Sequence, residues 1–178
     1  MIGNVNTVDG TLYFKADGVG DGTDSPVVIE NSKNIGIGSL AKTSSESSIA
    51  IGLNSQAEDL STIAIGTNSI VAADGAIGAV DAKRSIAIGA ESRALNEGAV
   101  AVGPGTAAGG RGALAIGGWF DKNEDGLMPL VPVSTSPEYE VTWATGDKST
   151  AVGTAAFSEG QESIAVGWAA TAESVVAH

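Results

Sequence analysis

The sequence predicts an all-β solenoid, a flattened parallel β-roll of 14-residue, two-strand coils, and two observations carry that prediction. A segment of the form small–aliphatic–small–aliphatic ends on a glycine eight times, at Gly38, Gly52, Gly66, Gly89, Gly103, Gly117, Gly153 and Gly167. Five of the seven intervals are 14 residues; the other two, 23 and 36, equal 14 plus insertions of 9 and 22. A fixed period this short marks a stack of coils, none of which buries its apolar face alone.

The first strand of each coil is read by aligning the copies on their glycine. One and three residues before it stand large aliphatics, as in Ile49 and Ile51, Ile63 and Ile65, Ile86 and Ile88, Val100 and Val102, Leu114 and Ile116. Two and four residues before it stand small ones, as in Ser48 and Ala50, Ser85 and Ala87, Ser163 and Ala165. Alternation with period 2 is the pattern of a strand with two unlike faces. The glycine then permits a tight turn. A second strand follows, with small residues three and five positions after the glycine (Ser55 and Ala57, Ser92 and Ala94, Thr106 and Ala108) and variable polar residues between them. Two strands of about five residues and two turns of about two fill a 14-residue coil, whereas a three-sided coil needs about 18.

Large packed against small predicts that the aliphatics of strand one point inward, onto the small face of strand two. Ile51, Ile65, Ile88 and Ile116 are then buried and stacked coil on coil. The Ala/Ser ladder of strand one points outward, and a roll this thin buries it most simply against another copy of itself.

Composition narrows the function classes. Hydrophobic residues at 43%, mostly Ala, Ile and Val, are too many for a disordered chain, while 4% aromatics do not suit a large ring-packed core. No apolar run reaches 18 residues, so no transmembrane helix is expected. The opening Met1-Ile2-Gly3-Asn4 lacks the basic and apolar regions of a signal peptide, as an excised piece of an exported protein would. A formal charge of −12 argues against nucleic acid, and the absence of cysteine removes disulfides and thiolate metal sites.

The segments Ser48-Ile-Ala-Ile-Gly52, Ser85-Ile-Ala-Ile-Gly89 and Ser163-Ile-Ala-Val-Gly167 resemble the head repeats of trimeric autotransporter adhesins of the YadA-like type. Leu12-Tyr13-Phe14-Lys15 resembles the lead-in seen before such heads, which makes residues 1–34 an N-terminal lead-in or cap and 35–178 the repeat region. The resemblance implies a left-handed roll, a parallel homotrimer, and display as a virulence-associated adhesin on the outer membrane of a Gram-negative bacterium. It implies host matrix proteins, cells or abiotic surfaces as partners, with no membrane insertion by this part of the chain.

Two insertions break the period, one within 67–88, with Asp74-Gly75 as its turn, and a longer one within 118–148. The long one holds Trp119, Phe120, Tyr139 and Trp143, half of the eight aromatic residues in the chain. Aromatics dominate binding hot spots, but they also build small satellite cores, so these four are candidates for recognition, for trimer locking, or for fastening the excursion to the roll. In the same stretch Asp121, Asn123 and Asp125 place oxygen ligands at alternate positions before Gly126, the first half of a calcium loop. Pro132 stands where that loop wants its bidentate Glu, and such runs are also plain solvated turns.

Catalytic signals are sparse. The single histidine is the last residue, His178; neither G-x-S-x-G, G-x-G-x-x-G nor a P-loop occurs. No catalytic residue and no cofactor is therefore assigned, beyond calcium as a candidate. Three function classes remain: a non-enzymatic adhesin head, a structural spacer without its own ligand, and a β-solenoid enzyme. The lead-in favours the first, and the missing catalytic cluster disfavours the third.

Overall fold

The computed structural model describes residues 34–71, 81–121 and 140–173 in full, and the backbone of 5–8, 11–14 and 27–28. Every regular element among them is a β-strand. The strands form two sheets, of ten and nine strands; the first two strands both belong to the larger sheet, and successive strands alternate between the sheets from there on. From residue 35 onward this is a parallel β-solenoid. Strands of three residues (Ile49–Ile51, Ile63–Ile65, Ile86–Ile88) build the first sheet, and strands of two (Gln56–Ala57, Ile70–Val71, Arg93–Ala94) the second. These are shorter than the expected five residues, because the corners take up the balance of each coil.

Register follows the glycine alignment. Ile49 pairs with Ile63, one 14-residue coil on. The ladder also survives both insertions: Ile63 pairs with Ile86, and Leu114 with Thr150. At the N-terminal end Val5–Val8 and Thr11–Phe14 form an antiparallel hairpin, whose second strand joins the first sheet in parallel, Leu12 opposite Ile35.

The two faces of strand one are opposite to the expectation. Ala50, Ala64, Ala87, Ala101, Ala115 and Ala151 are completely buried, as are Ser48, Thr62, Ser85 and Ser149. Ile51 and Ile65 are only half-buried, and Ile88 and Ile116 are exposed, at 38% and 40%. They do stack coil on coil, but outside the roll. Strand two is oriented as expected, with Ser55, Ala57, Ser92 and Ala94 inside. The interior is thus small against small. With corners this tight the sheets lie too close for an isoleucine between them, and the aliphatics have only the outer face left.

The corners explain why the inner residues are so often Ser or Thr. At the corner after strand one, Ser55, Ser92 and Thr106 donate their hydroxyls to the carbonyls of Gly52, Gly89 and Gly103, at 3.1, 2.8 and 2.9 Å. At the opposite corner Thr62 and Ser48 both donate to the Asp59 carbonyl at 2.7 Å, and Ser85 donates to that of Asn96 at 2.6 Å. These hydroxyls satisfy the Asp59 carbonyl and give the glycine and Asn96 carbonyls, which accept one backbone N–H within their own corner, a second donor.

Glycine is required at the first corner on two counts. Gly52 and Gly66 have φ of 130° and 131°, and a Cβ on either would lie 2.5 Å from the carbonyl oxygen of the glycine one coil on. The backbones are stacked too closely there for any side chain. One further residue at nearly every corner is left-handed without being glycine, among them Asn54, Asn68, Arg84 and Glu91. Each carries a cost of roughly 1–2 kcal/mol that the surrounding ladder holds in place.

The face assignment has a direct test. Ala87→Leu adds three carbons where no space exists, and should cost about 3 kcal/mol or unfold the roll. A chemical-denaturation midpoint for Ala87→Leu equal to that of the parent would place alanine outside and contradict the packing described.

Candidate recognition surface

The long excursion leaves the roll at a corner and returns to the same corner. Strand Leu114–Ile116 runs into Gly117 and Gly118, and the chain re-enters through Glu140, Val141 and Thr142 to strand Trp143–Ala144. Thr142 occupies the inward Ser/Thr slot of its coil. Its hydroxyl accepts the Gly118 N–H at 3.0 Å and lies 2.6 Å from the Gly153 carbonyl, to which it donates. The Phe120 N–H reaches the Glu140 carbonyl at 2.8 Å. Two short bonds therefore close the excursion at its base.

The candidate aromatics separate at that base. Trp143 is the first residue of its second-sheet strand, with its side chain on the outer face, and it is buried. It clusters with Ala107 and Phe157, the residues paired with it one coil to either side. The Trp143 and Phe157 rings are 5.6 Å apart and tilted by 57°. Phe120 is exposed and meets Trp168 edge to face, at 6.0 Å and 83°. Trp119 is half-buried. The indole N–H groups of Trp119 and Trp143 are enclosed without an acceptor, an unusual expense for a structure this regular.

Phe157 and Trp168 were absent from the candidates, although both lie on the repeat. Phe157 follows Trp143 by one 14-residue period, so counting coils through the insertion stacks the two rings. Trp168 follows the last repeat glycine directly, in the exposed corner column. Tyr139, Asn123 and Asp125 lie outside the described residues, as does the Asp74-Gly75 turn. Asp121 is described and half-buried, and no cluster of three or more metal-ligating His, Cys, Asp or Glu side chains is found among the described residues.

Charge is concentrated along the corner opposite the excursion. Arg111 reaches the Asp147 carboxylate one coil on through Nε at 2.9 Å, and Asp147 also accepts the Arg111 backbone N–H at 2.9 Å. The Arg111 hydrogen bond holds the Asp147 carboxyl below its ordinary range, so the carboxylate is charged at neutral pH and protons compete for this contact only below the usual carboxylate range. Arg84 pairs with Glu97 at 2.7 Å and Lys148 with Glu162 at 2.9 Å, each across neighbouring coils. These pairs are exposed and add little stability individually. Their effect is a polar edge.

Residues 35–55, 44–69, 81–106 and 144–170 match the YadA head domain repeat. No curated relative and no solved structure matches the chain. Among the described residues, no helix is long and apolar enough to cross a membrane.

Thr142 is the residue on which closure of the excursion depends. Thr142→Val keeps the shape but strands the Gly118 N–H and leaves the Gly153 carbonyl with the Ala156 N–H alone, and should cost about 1–3 kcal/mol. An unchanged melting temperature, together with unchanged protease cleavage between residues 118 and 142, would show that the hydroxyl does not hold the base.

Proposed function

We propose, for a chain that belongs to the YadA head domain repeat family, the role of a non-enzymatic adhesin head in a trimeric autotransporter. Its roll is left-handed and parallel, and it is displayed on the surface of a Gram-negative bacterium. The observation that carries this reading is the unpartnered aliphatic ladder. Ile, Val and Leu side chains project in register from successive strands of the first sheet, and none of them helps to fill the roll. A continuous apolar face on a soluble chain marks an interaction surface. Three parallel chains that turn this sheet toward a common axis bury the ladder along its whole length. The self-associating face is therefore the Ile/Val face, and not the Ala/Ser face that the sequence suggested.

Adhesion on this reading is multivalent contact along a rigid rod with host matrix proteins, cells or abiotic surfaces. Among the described residues Phe120 and Trp168 are the exposed aromatic contribution of each chain, and Trp143 fastens the excursion to its coil. Calcium at Asp121, Asn123 and Asp125 remains a proposal on ligand spacing alone, which titration calorimetry at millimolar calcium decides.

Assembly is checked by light scattering across a concentration series, with about three times the 17.6 kDa chain mass expected. Ile88→Asp places an unpaired carboxylate in the buried trimer core, at several kcal/mol per chain, and should return the mass to one chain. In an isolated roll Ile88 lies at the surface, where the same change costs under about 0.5 kcal/mol. A parent of single-chain mass at every concentration contradicts the assembly.

Recognition is checked by binding to a panel of matrix proteins and cells, with residues 119–141 present or replaced by one residue. The shortened chain should remain folded and lose adhesion. Equal adhesion would remove the excursion from the binding surface, and no binding by either chain would favour a structural spacer.

A further inference from the structure

We infer that Leu53 of one chain closes on Leu60 of the neighbouring chain, forming an apolar clasp along the edge of the trimer. This rests on the parallel assembly proposed above. The columns at the two corners carry the argument. At the corner leading into each first-sheet strand, backbone hydrogen bonds from coil to coil set Glu46, Leu60, Lys83, Glu97, Arg111 and Asp147 in one column. Among these Leu60 is the single apolar residue, and it is 36% exposed. Across the roll, in the column after the repeat glycine, Leu53 is 51% exposed. Both leucines thus stand on edges of the same coil, and neither contributes to its interior.

An exposed leucine alone is ordinary. What singles out this pair is its position relative to a rotation axis. Chains arranged cyclically with one sheet toward the axis must present opposite edges to each other, since such an interface is heterologous and closes after a full turn. Parallel chains related by pure rotation have no axial offset. Leu53 and Leu60 are half a 14-residue coil apart, so across the interface they differ in height by about half the strand spacing, roughly 2.4 Å. Leucine side chains span that difference. At other levels the same geometry opposes Ala90 to Glu97 and Pro104 to Arg111, which offer no apolar match. Glu46 stands half a coil to the other side of Leu53 and offers no apolar match, so Leu60 is the apolar neighbour at that level.

The chain has no cysteine, which makes cross-linking decisive. The full chain carrying Leu53→Cys and Leu60→Cys together, oxidised mildly, should run as a covalent trimer on a non-reducing gel. Each single variant should stay unlinked, because a given edge never meets its own copy. A trimeric parent whose double variant shows a native circular dichroism spectrum and stays unlinked, or whose single variants link as well, overturns the clasp and leaves the assembly standing. A monomeric parent overturns both. Leu60→Lys supplies an independent reading that does not depend on oxidation. It should raise the concentration at which the trimer dissociates about tenfold, and an unchanged midpoint counts against the clasp.

Discussion

Close approach of the two sheets governs the rest of this structure. Each coil spends most of its 14 residues on corners, leaving strands of three and two. Among the described residues the gap between those strands is filled mainly by alanine, serine and threonine, with Val71 as the largest fully buried side chain. Glycine at the first corner has the same cause: successive backbones stack so closely that a Cβ would strike the next coil's carbonyl. The inner hydroxyls then donate to the corner carbonyls.

A thin interior has an energetic consequence for the outside. Alanine buries little apolar area, so stacked parallel ladders and corner hydrogen bonds hold the roll in register while contributing a modest hydrophobic term. The large aliphatics, which would normally supply that term, stand on the outer face of the first sheet. Folding and assembly are therefore divided between two faces of one strand. Small residues specify the coil, and large residues reserve their burial for a neighbouring chain.

The long excursion is compatible with this economy because it interrupts a corner and leaves the ladders alone. Leu114 still pairs with Thr150, and Ala107 with Trp143, across 36 residues of chain. Thr142 takes the slot that Ser or Thr fills elsewhere, but its hydroxyl bridges the Gly118 N–H and the Gly153 carbonyl of the next coil in place of the glycine of its own. Trp143 and Phe157 stack at the ordinary one-coil interval. The coil-to-coil alternation of charge at the opposite corner follows the same rule, with Arg111 finding Asp147 in the next coil along the stack.

Periodicity alone determined the parallel stack, the coil length, the place of both insertions and the glycine corners, since these depend on spacing and on backbone freedom at one residue. The inward orientation of strand two was legible for the same reason, because its small residues alternate with polar ones. Strand one was not legible in this way. Both of its faces are uncharged, so alternation identified two faces without saying which was inside. Only the distance between the sheets decided that, and it excluded isoleucine from the interior. The site divides along the same line. The aromatic concentration near the long insertion could be counted in the sequence, whereas burial of Trp143 against Phe157 and exposure of Phe120 beside Trp168 depend on which corner the chain leaves and which sheet face it rejoins.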